Sequence, residues 1–478
     1  MWILNAHVPL SLLSSDWYSR YQSYLDQSRI LVSDVLTQTL DLVKVHLKIE
    51  PQTIDRTSGL QTLIPSDPKL DRYAYSEIYF ADFPPHPLAN LESGEEVVID
   101  QKGGLLLPCF VDIHTHLDKG HIWQRSPNRT GTFATALQTV SQDAEQYWTE
   151  TDIYVRMNFA LQCSYAHGTQ ALRTHLDSSG EVGKRVWKVF QQIKKEWSDR
   201  LELQAVALVP PHYYGMDEAD DLVDLVAESQ GILGGVFFSD PHLDIDLDRL
   251  FTIANDRHLS IDLHVDESNN PHDRALLAVA QAKLRHNFQQ SVICGHCCSL
   301  SLQSKQNLAK TIAAVKEAEI GIVSLPLCNL YLQDRQPDRT PQWRGITALH
   351  ELKAANIPIA IASDNCRDPF YAFGDHDALE VLRESTRIAH LDHPYGDWIK
   401  TITSTPGEWF SRVENHTSNK NIPTQNTIAA QLPADFILFE GRNWNEVLSR
   451  PENNRRIFRN AQEISIVLPH YSELDRIC

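Results

Sequence analysis

Residues 110–123 read FVDIHTHLDKGHIW. A short apolar run, Phe110-Val111-Asp112-Ile113, ends in His114-Thr115-His116. In an extended strand, residues i and i+2 point to the same face. His114 and His116 therefore aim together at whatever lies beyond the strand's C-terminal end. Two imidazoles placed this way fit a metal ion, but a site needs further ligands from elsewhere in the chain.

The chain repeats the pattern. From Gly103 onward, apolar strand-like runs alternate with amphipathic segments. The strand candidates are Phe110–His116, Gln170–Leu176, Leu203–Val209, Ile232–Phe238, Leu259–Val265, Val292–Cys297, Gly321–Leu327 and Ile357–Ser363. Each is short and largely apolar, as parallel strands covered on both faces are. Helix candidates between them include Thr151–Ala166, Ile245–Asp256, Asp273–Asn287, Ser304–Ala318, Thr347–Ala355 and Asp377–Ala389. Eight strands alternating with helices predict a (β/α)8 TIM barrel over 105–422. Residues 1–104 break the alternation, with strand-like pieces at Val43–Ile49 and Glu96–Ile99 and a polar, Pro-rich stretch near Pro65–Pro87. The C-terminal segment 423–478 adds strand-like runs at Leu432–Phe439, Arg455–Arg459 and Ile464–Leu468. The two ends are expected to pair into one small β-domain.

Composition narrows the function classes. The 478 residues carry 43 Lys+Arg against 62 Asp+Glu, a formal charge of -19. Such a surface repels nucleic acid and anionic lipid, so neither is an expected partner. No apolar run approaches the roughly 20 residues of a membrane span. The N-terminus lacks a basic n-region, and Asn5 and His7 break its apolar run, so it reads as mature protein. Without a secretory signal, the sequons at Asn128 and Asn415 carry little weight. Eight dispersed cysteines fit reduced thiols, and the expected location is cytoplasmic.

In a barrel of this kind the site is built at the C-terminal ends of the strands. The first strand ends in His114 and His116, the second in His175 and Asp177. The fifth runs Leu263-His264-Val265-Asp266-Glu267. The sixth ends in Gly295-His296 and the eighth in Ser363-Asp364-Asn365. Core packing alone does not put His or Asp at five of eight strand ends. Imidazoles with a carboxylate suit one divalent cation, Zn²⁺ first, with Fe²⁺ or Mn²⁺ as alternatives. Such a cation brings the pKa of bound water to roughly 7. Glu267, just past His264, is placed to move protons to a leaving group. Cys294-Gly-His-Cys297-Cys298 is not a zinc finger, because no second Cys or His pair follows at finger spacing. Gly234-Gly235 lacks the rest of a phosphate-loop pattern.

These residues resemble the amidohydrolase superfamily, and within it the cytosine deaminase-like group. Leu107–Asp118 is similar to that group's first strand, Leu172–Asp177 to its second, and Leu263–Glu267 to the strand carrying a metal His and the catalytic Glu. Gly295-His296, Pro326–Arg335 with Arg344-Gly345-Ile346, and Ser363-Asp364-Asn365 with Asp368–Tyr371 resemble its later segments. The resemblance spans roughly Leu105 to Phe410. It implies a flanking β-sandwich built from both termini and one metal held by His114, His116, His264 and Asp364. It implies that His296 holds the water and stabilises the tetrahedral intermediate. Asp364 would accept the water's proton, and Glu267 would protonate the ring nitrogen and the leaving amine. The implied reaction releases ammonia from a small heterocycle. Relatives often form oligomers, so a homo-oligomer is an open expectation.

The departures bear on substrate. The group reads the pyrimidine amide edge with a glutamine after the third strand. Here that region is Val209-Pro210-Pro211-His212-Tyr213, and a proline falls at the aligned position, leaving His212 or Tyr213 to substitute. The group's second Asp is Asn365, Arg367 adds a cation, and Phe370 stands where the covering loop often has Trp. Lys119 resembles relatives that remove alkylamines from triazine rings. His175 joins Lys119, His212, Tyr213, Asn365, Arg367 and Phe370 as candidate substrate-binding residues. The leading expectation is hydrolytic deamination of a cytosine-like heterocycle. The alternatives are alkylamine removal from a triazine-like ring or opening of a cyclic amide, and, in a different class, a non-catalytic scaffold that kept the barrel.

Overall fold

The computed structural model describes residues 1–13, 42–51, 73–80, 98–393, 395, 397–414, 426–429, 432–451, 454–465 and 467–477. They fall into two compact units. The first comprises Met1–Cys109, His393–Ser404 and Gln425–Ile466; the second comprises Phe110–Asp392, Thr405–Thr424 and Val467–Cys478.

The first unit holds two four-stranded sheets. One orders its strands β3-β2-β1-β4, with β1 Trp2–Pro9, β2 Leu42–Pro51, β3 Tyr73–Phe80 and β4 Val98–Asp100. The other orders them β16-β15-β14-β5, with β5 Leu106–Pro108, β14 Phe436–Phe439, β15 Arg455–Arg459 and β16 Gln462–Glu463. Ile3, Val8, Val45 and Leu47 from one sheet share a core with Leu106, Phe436, Leu438 and Phe458 from the other. Alternating apolar residues thus bury the facing sides of two sheets drawn from both ends of the chain. Two expectations need correction. A strand, β3, lies inside the stretch near Pro65–Pro87, whose remaining residues fall outside the described ones. The described residues of Ile464–Leu468 are not a strand: the hairpin stops at Glu463, with one further bond from Ile464 N–H to Ile457 O at 2.9 Å, and Val467 is 75% exposed. Asn415 lies outside the described residues.

The second unit is a (β/α)8 barrel. Its eight parallel strands follow chain order: β6 Phe110–Thr115, β7 Thr169–Asp177, β8 Glu202–Leu208, β9 Ile232–Phe237, β10 Ile261–Val265, β11 Val292–His296, β12 Gly321–Ser324 and β13 Ile359–Ile361. The ring closes where Thr115 bridges Asp364 and the Asp364 N–H donates to His114 O at 2.9 Å. Val111, Ile113, Ile293, Val323 and Ala360 fill the barrel with Trp409 and Phe410. The expected strand Gly321–Leu327 ends early because Pro326, with φ preset for a helix start, opens the helix Pro326–Leu332. Helices Phe133–Tyr147, Gly180–Glu196, Ala219–Glu228 and Ser404–Glu414 complete elements the helix candidates did not cover. Thr149, Ser304 and Asp377 cap their helices by accepting from backbone N–H groups two or three residues on. Seven described cysteines are free and buried. No described helix is long and apolar enough to cross a membrane.

Candidate active site and metal centre

The strand register builds the site. In the parallel ladder His264 on β10 lies opposite Gly295 on β11, and Val265 lies opposite His296. A Cβ on Gly295 would stand 2.9 Å from Cε1 of the His114 ring. Only glycine leaves room for that imidazole to reach His264. Gly295→Ala should therefore displace His114 and weaken metal binding by about 10- to 100-fold, the loss typical of a disturbed ligand orientation, read by metal titration.

The imidazole nitrogens converge. His264 Nε2 is 3.2 Å from both His114 Nε2 and His116 Nε2. Asp364 Oδ1 lies 3.2 Å from His116 Nε2 and 3.6 Å from His114 Nε2. All four side chains are at most 5% exposed. Burial, reinforced by neighbouring imidazoles and Lys119, holds His114, His116 and His264 neutral, the form that ligates. Neither oxygen of the Asp364 carboxylate has a hydrogen-bond donor among the described residues, although the Cys328 thiol lies nearby. Burial pushes it up to about 8, and Asp368 adds to this. A buried carboxylate without strong donors facing three imidazole lone pairs is a poor hydrogen-bonded core and a good cation cradle. The residues fit one divalent metal.

His296 plays a different part. Asn329 Nδ2 stands 3.0 Å from His296 Nδ1 and 3.2 Å from Glu267 Oε1. One amide nitrogen with two hydrogens serves both acceptors, which makes Nδ1 the acceptor and leaves the His296 proton on Nε2. That buried Nε2–H has no partner among the described residues and is free to donate to an oxygen in the site. Glu267 Oε1 lies 3.3 Å from His296 Nδ1, and the Glu267 carboxyl is raised well above its ordinary value by burial and then by Asp364. Its surroundings favour the acid form. Asp364 and His296 both adopt left-handed backbone, at φ 63° and 66°. Strain of this sort, on the order of 1–3 kcal/mol per residue, persists where the surroundings dictate it.

Below this cluster, Arg173 Nη1 pairs with Asp262 Oδ2 at 2.8 Å, and Gln204 Oε1 accepts from Arg173 at 2.9 Å. His175 sits between the layers, 3.9 Å from the His114 ring and 3.8 Å from Asp262 Oδ1. The Lys119 ammonium is buried, 2.6 Å from Asp177 Oδ1 and 5.8 Å from the Phe370 ring. Burial opposes its charge, but Asp177 and Asp118 outweigh it and raise its pKa. Asn365 Nδ2 donates to Asp368 Oδ2 at 2.6 Å, and Asp368 Oδ1 takes the Phe370 and Tyr371 N–H groups, fixing the covering loop. Three candidates are seen with other neighbours. Arg367 lies over the Tyr471 ring at 4.4 Å. His212 is exposed, and Tyr213 is half-buried among Glu218, Lys184 and Asp221, both on the short 3-10 turn Pro211–Gly215. Sequence reasoning missed Asn329, and it placed Asp177 at a strand end without its pairing to Lys119. Asn329 sits inside the family-like segment Pro326–Arg335, but nothing in that segment alone says that it faces two strands at once.

Comparison with known proteins agrees with this architecture. The model of the amidohydrolase family matches residues 188–456. The pterin deaminase of Rhizobium rhizogenes is 46% identical over 380 residues, covering 79% of this chain and 84% of the relative. The N-isopropylammelide isopropyl amidohydrolase of Pseudomonas sp. is 24% identical over 316 residues, covering 63% and 73%. The crystal structure of 5-methylcytosine deaminase from Klebsiella pneumoniae superposes with a TM-score of 0.71 at 20% identity, covering 98% of both chains. With this (β/α)8 barrel and its His/Asp cluster, the chain belongs to the amidohydrolase family, metal-dependent hydrolases of carbon–nitrogen bonds.

Proposed function

We propose that this protein is a hydrolytic deaminase of a nitrogen heterocycle, with pterin the first substrate to test. The observation that carries the reaction class is the position of Glu267, a buried carboxyl 3.3 Å from His296 and beside the His/Asp cluster, where burial favours its acid form. The 46% identity to a pterin deaminase supports the choice of ring. Pterin shares with cytosine a C–NH₂ carbon next to a ring nitrogen, so the expected chemistry carries over while the ring differs. The proline at the position of the group's substrate-reading glutamine agrees with a ring other than cytosine.

His114, His116, His264 and Asp364 would hold the metal, Zn²⁺ first. When bound there, a divalent cation makes hydroxide available near neutral pH and polarises the reacting centre. Asp364 would take the proton from the attacking water. His296 Nε2–H would donate to the oxygen as it adds to the C–NH₂ carbon. Glu267 would protonate the ring nitrogen, take back the proton of the hydroxyl left on the carbon and deliver it to the amine, so that the C–N bond breaks and ammonia leaves; the proton held on Asp364 would then return to Glu267. Lys119, braced by Asp177 and lying near Phe370, would meet a ring carbonyl, and Asn365 the neighbouring edge.

The test is ammonia release by metallated protein from pterin and cytosine, with isopropylamine release from N-isopropylammelide in parallel. Pterin is expected to turn over with kcat/KM of at least about 10⁴ M⁻¹s⁻¹, the lower range for natural substrates. Amine release from the triazine with none from pterin would move the reading to alkylamine removal, which Lys119 would then serve.

A further inference from the structure

A second group of metal-ligating side chains lies outside the centre described above. His121 follows β6, and Cys366 and His376 lie in the loop after β13. One ligand atom from each comes within 4.8 Å of the others. All three residues are at most 3% exposed. His121 Nε2 and His376 Nε2 stand 3.3 Å apart. Gly374, at φ 94°, brings the loop past the thiol: a Cβ there would lie 3.3 Å from Cys366 Sγ. His121 and His376 themselves hold left-handed backbone at φ 63° and 55°. Two such residues converging on one point are over-determined by their surroundings.

We propose that His121, Cys366 and His376 form a second cation site, separate from the catalytic centre, that takes Zn²⁺. The donor set is the argument. Two imidazoles and a thiol, closed off from water, supply three of the nitrogen and sulfur donors that zinc prefers, whereas a hard cation would want oxygens. Burial keeps both imidazoles neutral and able to donate lone pairs. A histidine pair alone explains the 3.3 Å contact, with one ring donating and the other accepting, but it does not require a thiol at the same point. The site would tie the loop after β6 to the loop that begins with Asp364 and Asn365. Two backbone bonds already run between these segments, His121 N–H to Cys366 O at 3.0 Å and Trp123 N–H to Arg367 O at 2.8 Å.

Cobalt tests this directly. The full chain is stripped with a chelator under reducing conditions and titrated with Co²⁺ in place of Zn²⁺. The catalytic ligand set contains no cysteine, and Cys328→Ser controls for the thiol beside Asp364, so a near-ultraviolet thiolate-to-cobalt band that Cys328→Ser keeps reports the second site. The expected result is two equivalents of Co²⁺ per chain and a charge-transfer band. Cys366→Ser and His376→Gln each lose that band and one equivalent, while Asp364→Asn keeps the band. A single equivalent with no thiolate band in the unaltered protein overturns the proposal, as does a band undiminished in both Cys366→Ser and His376→Gln.

Discussion

Replacing Glu267 with Gln is expected to cut kcat by roughly 10²–10⁴-fold while leaving bound metal in place. Glutamine keeps the size and still accepts from Asn329, so the geometry around His296 survives. What it removes is the transferable proton. The Glu267 carboxyl is raised by burial and then by Asp364, so its acid form is present below the raised pKa and is lost as pH rises through it. Wild-type kcat/KM should fall on the alkaline side for this reason, and the fall assigned to Glu267 should be missing from the residual activity of the variant. Steady-state kinetics across pH, with metal quantified in the same samples, check both parts. Near-normal turnover by the variant would sink the acid–base assignment.

Removing a ligand should act through the metal instead. His264→Gln takes away the imidazole that lies 3.2 Å from both His114 Nε2 and His116 Nε2. The loss in affinity is expected to exceed the 10–100-fold typical of an outer-shell change, and turnover should fall with occupancy. A cation present at a hundred times its Kd stabilises the fold by about 2.7 kcal/mol. The rise in melting temperature on adding metal should therefore be smaller in the variant than in the unaltered protein. Calorimetric titration and thermal melts read these outcomes. If His264→Gln retained full metal content and a full melting shift, His264 would not be a ligand.

Much of this site is legible in the sequence because strand geometry makes it so. A His-x-His at the end of an apolar run fixes direction by the two-residue period, and the eight-fold alternation says which ends meet. Segment boundaries were less legible. Gly321–Leu327 is apolar throughout, and only Pro326 marks the switch to a helix. Ile464–Leu468 has strand-like composition, yet nothing in its own residues says that the hairpin ladder stops at Glu463. Asn329 and the Lys119–Asp177 pair depend on contacts across the barrel's mouth, between residues far apart in the chain. The turn bearing His212 and Tyr213 shows the same limit in reverse: a strand end places a side chain, but a turn beyond it is free to point elsewhere.

The bridge between Thr115 and Asp364, with Asp112 accepting from Ser363 251 residues along the chain, joins the first and last strands of the barrel. Contacts between such distant residues carry the largest loop-closure cost and tend to form late. Asp364 is also the residue on which the histidines converge. Folding and metal capture then share their final step: a nascent chain that has not closed the ring has no complete ligand set, and a cation arriving early finds only the His114-Thr115-His116 end to hold. Refolding with metal present should hasten ring completion, and the apo chain should linger with its first and last strands unjoined.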